Sequence, residues 1–206
     1  MKSMFHRLVA IFAGIATGTM MMSVAAFAQY VAPDYEPTNT AGWVLQKGDW
    51  IIANVENNTL QFVRENYSDI SQEVEIGSGI NNGKKMNYLG MRYNPATPED
   101  VWEIRSKHEQ TWWSVFGSKE AKGQLFFRLY RVEGENRVYS HYGIHTTPEV
   151  ETIFAEQDGF GSWGCLLTRY DLLKMVDDLY ELNEEVVRVV TTKQTPREVV
   201  ALLEAF

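Results

Sequence analysis

Arg137-Val138-Tyr139-Ser140-His141-Tyr142-Gly143-Ile144-His145 is the stretch on which the reading of the fold turns. It is rich in β-branched and aromatic residues, and Glu133-Gly134-Glu135-Asn136 joins it to a second such run, Gln124 to Val132. Two runs of this kind around a glycine-bearing turn predict paired strands. Alternation places His141, Gly143 and His145 on one face of the second strand, and Tyr142 and Ile144 on the other.

Working upstream, Val101-Trp102-Glu103-Ile104 reads as another strand, approached through the proline-fixed Asn94-Pro95-Ala96-Thr97-Pro98. Asp49 to Val55 and Thr59 to Val63 flank Glu56-Asn57-Asn58 as a hairpin. Gln72 to Ile76 is a further strand, ending in Gly77-Ser78-Gly79 before a loop from Ile80 to Lys85. Residues 105–124, with Trp112, Trp113 and Phe116 among polar neighbours, read as an insertion or lid, or equally as a helix capping the core.

Downstream of His145 the chain is expected to open into a long loop that reaches Gly161-Ser162-Trp163-Gly164-Cys165. Thr168-Arg169-Tyr170-Asp171 is a plausible capping box. Leu172, Leu173, Met175, Val176, Leu179 and Tyr180 follow at helical spacing. Val186 to Val190 predicts a buried strand, and Thr195-Pro196-Arg197-Glu198 opens a last helix with proline at its first position. Strands in the majority with two late helices imply a β-rich α+β domain, too irregular for a doubly wound sheet.

The beginning of the chain resembles an export signal. Lys2 and Arg7 precede an apolar run from Leu8 to about Ala26, which ends in Ala26-Phe27-Ala28. Cleavage after Ala28 is expected, with residues 29–42 as a flexible leader and 43–206 as one catalytic-size domain. The whole chain carries 27 acidic against 19 basic residues, a net charge of −8, and loses two basic residues with the signal. That balance argues against nucleic acid and anionic lipid as partners. A periplasmic or secreted monomer is expected.

Cys165 is the only cysteine. A lone thiol in an oxidising compartment has no disulfide partner in its own chain, and is either buried or used. Use requires thiolate character, a base and oxyanion donors. A helix starting near Thr168 would favour thiolate through its dipole. Gly164 permits a tight turn, and the N–H groups of Gly164 and Cys165 are candidate oxyanion donors. Of four histidines, His6 leaves with the signal, and His145 stands at a strand end, where catalytic groups are displayed. His141 lies roughly 13 Å back along the same face, so only one of the two is expected at the thiol. Residues of these types also serve plain packing roles: a lone cysteine as a small buried hydrophobe, a strand-end histidine as a structural group, Trp163 as a core residue. The cysteine and histidine content matches no zinc pattern, and no cofactor is expected.

His145, followed after residues 146–161 by Ser162-x-Gly164-Cys165, resembles the catalytic signature of the L,D-transpeptidase family, a histidine and then Ser/Thr-His-Gly-Cys. Tyr142 to Thr146 is similar to the family's base-carrying strand. Thr97-Pro98-Glu99-Asp100-Val101-Trp102-Glu103-Ile104 resembles its Thr-Pro-x-Gly-x-aromatic-x-Ile segment, and the likeness spans roughly residues 45–192. The resemblance implies a β-sandwich-like fold with a helix after the nucleophile loop. It also implies cysteine acyl transfer on peptidoglycan stem peptides, a reaction open to carbapenem inhibition. Carried over by position, Cys165 is the nucleophile and His145 the base. The Thr146 carbonyl orients the imidazole, and Ser162 and Gly164 shape the loop. Beside these, Ser162, Trp163, Tyr142 and Arg169 are candidate substrate contacts, Arg169 as a nearby cation where the family's own is absent. A thioester on Cys165 would pass to an amine, on a neighbouring stem or an envelope protein. With water it would make the chain an L,D-carboxypeptidase or amidase. A catalytically silent module binding peptidoglycan or a protein is the reading from a different class. This chain departs from the signature at Trp163, where the family has histidine, at Leu167, where it has arginine or asparagine, and at Asp100, where it has glycine. A papain-like protease is disfavoured by the order, histidine before cysteine.

Overall fold

The structure, a computed structural model, describes residues 41–88, 90–109 and 124–204. The expected signal (1–28), nearly all of the leader and the tryptophan-bearing part of the expected insertion lie outside these residues. Ala41, near the end of the expected leader, is already buried, and its carbonyl accepts from the Gln72 N–H.

The architecture is α+β and strand-rich. The first hairpin joins β1 (Trp50–Asn54) to β2 (Thr59–Val63), and Asn54 Oδ1 accepts from the N–H groups of Glu56 and Asn57 to close its turn. Two short strands follow, β3 (Val74–Glu75) and β4 (Ser78–Gly79). Next is a small separate hairpin, β5 (Met86–Tyr88) with β6 (Met91–Tyr93), which begins just after the expected loop ends at Lys85. Three long antiparallel strands then form the body of the sheet: β7 (Asp100–Glu109), β8 (Leu125–Glu133) and β9 (Asn136–His145). The stretch expected as an insertion from residue 105 is corrected here, because 105–109 continue β7, and Ser106 to Glu109 pair with β8 beyond a bulge between Ile104 and Ser106.

The expected loop between His145 and Cys165 is also corrected. It contains α1 (Val150–Gln157) and β10 (Phe160–Ser162). The helix has only two turns and buries only Val150 and Phe154, an i, i+4 pair too short to register as a period. The chain then runs through β11 (Leu166–Leu167), α2 (Tyr170–Leu182), β12 (Val187–Thr192) and α3 (Pro196–Glu204).

Eight strands form one mixed sheet in the order β11-β9-β8-β7-β12-β1-β2-β3, parallel at β1–β12 and β9–β11. Residues of α2 join Ile51, Phe62, Trp102, Ile104, Phe127, Leu129 and Ile144 in the main core on one face. On the other face Val199 and Val200 of α3 pack with Trp50, Ile52 and Val190. A strand covered on both sides reads as a continuous apolar run, and all five residues of β1 are buried.

The caps differ from expectation. Thr168 does not cap α2; Arg169 is the N-cap, without a side-chain capping bond. A reciprocal capping box forms at α3 instead, where Glu198 accepts from Thr195 N–H and hydroxyl while the Glu198 N–H donates to Thr195 Oγ1 at 3.4 Å.

Candidate active site

The edge of the sheet brings the sequence-predicted residues together. β11 pairs with the end of β9 in parallel, Leu166 beside Ile144 and Leu167 beside His145. Extending that register one residue back sets Cys165 beside Gly143. The thiol is buried, and Sγ lies 4.0 Å from the His141 carbonyl oxygen. The His141 ring is elsewhere, edge-on to Tyr139.

The loop that carries the thiol is held from both sides. β10 pairs with β4, and Gly77 and Leu167 exchange backbone hydrogen bonds at 2.7 and 2.8 Å. Thr97 Oγ1 accepts from the Gly79 N–H at 2.8 Å and donates to the Gly164 carbonyl at 3.0 Å. The Thr-Pro segment thus clamps the loop that carries Cys165, a positioning role that the sequence does not signal for Thr97. Inside the loop Ser162 Oγ donates to the Cys165 carbonyl at 2.6 Å and accepts from the Gly164 N–H at 3.1 Å. The Gly164 N–H, one of the two expected oxyanion donors, is therefore engaged within its own loop. Gly164 has φ +107°, and a Cβ there would run into the Tyr142 ring, so both backbone and space require glycine. Tyr142 stands edge-on to Trp102, with ring centroids 5.7 Å apart.

His145 is buried, and its Nδ1 lies 2.9 Å from the Thr146 carbonyl oxygen. A carbonyl can only accept, so Nδ1 carries the proton and the opposite nitrogen is the basic one. Burial pushes the imidazole down to about 4, against the hydrogen bond to Thr146. Burial likewise pushes the thiol up to about 11, opposed by the Gly143 backbone and the Arg128 charge. The expected thiolate-favouring helix start is thus overturned. β11 and two further residues separate Cys165 from α2, and desolvation outweighs the remaining terms. The resting pair is a neutral thiol and a neutral imidazole.

Arg169, expected near substrate, is held by Glu151 and Glu75 at 2.8–2.9 Å, with its Cζ 4.5 Å above Phe154. Leu167 is buried with Val150 and Phe154. Trp163 is half-buried in the loop. Among the described residues no three His, Cys, Asp or Glu side chains gather as a metal site.

Several neighbours were not singled out by the sequence reading. Phe126 is opposite His145 and stacks on its ring, with centroids 5.3 Å apart and planes 22° from parallel. His108 stacks on the same phenyl ring at 5.2 Å. A Cβ at Gly143 would run into that ring, so the glycine is what admits Phe126. The guanidinium of Arg128 lies 4.6 Å above Phe126 and 5.1 Å from Tyr139. Alternation within β8 was available from the sequence, but its register against β9, which makes these neighbours, depends on a bulge between Arg128 and Tyr130.

No protein-family model matches the chain, and no curated protein matches it. Solved structures overlap with it in part. An L,D-transpeptidase from Xylanimonas cellulosilytica matches at TM-score 0.46 and 14% identity, over 73% of this chain and 65% of that one. Bd1075 from Bdellovibrio bacteriovorus matches at TM-score 0.47 and 19% identity, over 78% and 56%. A mutant of the Enterococcus faecium L,D-transpeptidase matches at TM-score 0.42 and 15% identity, over 71% and 50%. Each match spans less than two thirds of the other structure's length. Among the described residues no helix is long and apolar enough to cross a membrane.

Proposed function

We propose that this chain is an exported cysteine acyltransferase that acts on peptidoglycan stem peptides through a thioester on Cys165. The observation that carries the reading is the β9–β11 pairing, which seats the only thiol beside the strand bearing an imidazole whose tautomer is set by a backbone carbonyl. Export rests on the signal-like residues 1–28.

In the first step Sγ attacks the carbonyl carbon of an L-centre to D-centre peptide bond while the thiol proton passes to the basic nitrogen of His145. The Cys165 N–H is the loop donor assigned to the oxyanion. The tetrahedral species collapses, the C–N bond breaks, and the imidazolium returns its proton to the departing amine of the terminal D-residue. In the second step an amine, on a neighbouring stem or an envelope protein, attacks the thioester. His145 takes the amine's proton, and the thiolate leaves and is reprotonated. Water in place of the amine makes the same machinery an L,D-carboxypeptidase or amidase. Since thiol and imidazole are both neutral at rest, proton transfer belongs to the acylation step itself, not to a pre-formed ion pair.

A second reading is a silent peptidoglycan- or protein-binding module. It is favoured by the buried, neutral thiol and by the engagement of the Gly164 N–H. Product analysis with one defined stem tetrapeptide and an amine acceptor separates the two. Release of the terminal D-residue, lost in His145→Ala, is expected. No release by the unsubstituted protein overturns the transferase and leaves the module.

A further inference from the structure

Arg128 stands out among the charged residues. The other half-buried arginines among the described residues all pair with carboxylates: Arg64 with Asp49, Arg131 with Asp100, Arg137 with Glu103, Arg169 with Glu75 and Glu151. Arg128 pairs with none among the described residues, in a chain with an excess of acidic groups. It is nonetheless held in place. Its Nη1 donates to the Ser140 carbonyl at 3.2 Å, and its Cζ lies over Phe126 and near Tyr139. A guanidinium seated on aromatic rings keeps a planar edge for a bidentate acceptor.

Its place in the sheet is specific. Arg128 is directly opposite Gly143 on one side of β9, and the β9–β11 register sets Cys165 beside Gly143 on the other. Two strand spacings, roughly 10 Å, separate the two backbones. The residue between them has no side chain, and Phe126 floors the gap. The charge is felt on both sides of that gap: burial lowers the pKa of His108 and Arg128 adds to that lowering, while at Cys165 Arg128, after the Gly143 backbone, opposes the upward push of burial. Among the described residues, the cations nearest in sequence to Cys165 do not compete for the position. Leu167 points into an apolar cluster, and Arg169 is bound by two carboxylates.

We propose that Arg128 binds the free carboxylate of the acyl donor's terminal residue, one residue beyond the carbonyl attacked by Cys165. One residue of extended chain spans about 3.5 Å, which fits between the thiol and a guanidinium carried on β8, two strands away. Arg128 is then a specificity residue: it selects donors that end in a free carboxylate at that point, and it guides the terminal residue that leaves. The assignment rests on the transferase reading for the role of the thiol, though the anion site can be measured without turnover.

The test is calorimetric binding to the Cys165→Ala protein with three stem tetrapeptides: free acid, C-terminal amide, and a peptide amidated only at the side-chain carboxylate of its third residue. The free acid is expected to bind about 10- to 100-fold tighter than the C-terminal amide, the range of a charge-assisted pair. Side-chain amidation is expected to change little. Adding Arg128→Gln brings the acid-to-amide ratio close to one, and Arg128→Lys restores part of it. The ratio is internal to each variant, so general loosening of the site cancels. If Arg128→Gln does not fold, the acid-to-amide comparison in the protein that retains Arg128 decides alone. Equal affinities, a preference that persists in Arg128→Gln, a preference that follows the side-chain carboxylate, or no binding of any peptide overturns the proposal. A protein that discriminates in binding yet releases no D-residue keeps the anion site and loses the transferase. One that cleaves acid and amide donors equally keeps the transferase and loses the anion site.

Discussion

At the scale of single residues, burial decides the chemistry of the site. Cys165 and His145 are both shut away from water, and desolvation pushes the thiol up to about 11 and the imidazole down to about 4. The free protein therefore stores its thiol protonated. Alkylation of the native protein by iodoacetamide is expected to be slow at pH 7 and to rise with pH toward about 11, with no inflection near the ordinary cysteine value. A plateau reached below pH 8 would show a thiolate already formed at rest. The residue scale also shows where sequence reading reaches its limit. The lone cysteine, the strand-end histidine and the need for glycine at 164 are all legible as residue types at fixed spacing. The resting protonation states are not, because they depend on how deeply the loop is buried, and that is set by β4 and Thr97, which lie far away in sequence.

At the scale of elements, a buried ion pair ties the entry of the chain to the sheet. Asp49, fully buried just before β1, accepts from Arg64 through both oxygens, from the Trp43 indole and from the Gln46 N–H, all within 3.0 Å. Arg64 in turn lies 4.4 Å over the Trp43 ring. Asp49→Ala leaves that guanidinium half-buried and unpaired, and is expected to cost about 3–5 kcal/mol in a urea melt. A loss below 1 kcal/mol would show that water replaces the carboxylate. The long strands β8 and β9 and the helix α2 are readable because each sustains its period over many residues; of β7 only Val101–Ile104 is readable, because the bulge between Ile104 and Ser106 breaks its alternation. α1 is not readable, since two turns with one buried i, i+4 pair carry too little pattern. The capping box was assigned to Thr168–Asp171 and stands at Thr195–Glu198. Both stretches have the right residue types, but β11 delays the start of α2 to Tyr170. Short β-pairs such as β10–β4 are long-range contacts between segments that have no signal of their own.

At the scale of the whole molecule, the site sits at one edge of an eight-stranded sheet whose main core lies under α2. Global stability should report the buried imidazole. His145 is held at about 4 in the folded state against an ordinary 6.5, so the unfolded chain takes up a proton in that interval that the native protein does not. Its contribution is present above pH 6.5 and is lost as pH falls toward 4, on the order of 3 kcal/mol. Chemical melts across that window should show this loss, with the slope reduced in His145→Asn; an unchanged slope would place the imidazole in water. The measurement that bears most directly on the central claim is the intact mass of the protein after exposure to a carbapenem. A single adduct on the unsubstituted chain, absent from Cys165→Ala and strongly slowed in His145→Ala, is the predicted result. No adduct, or the same adduct on Cys165→Ala, would contradict it.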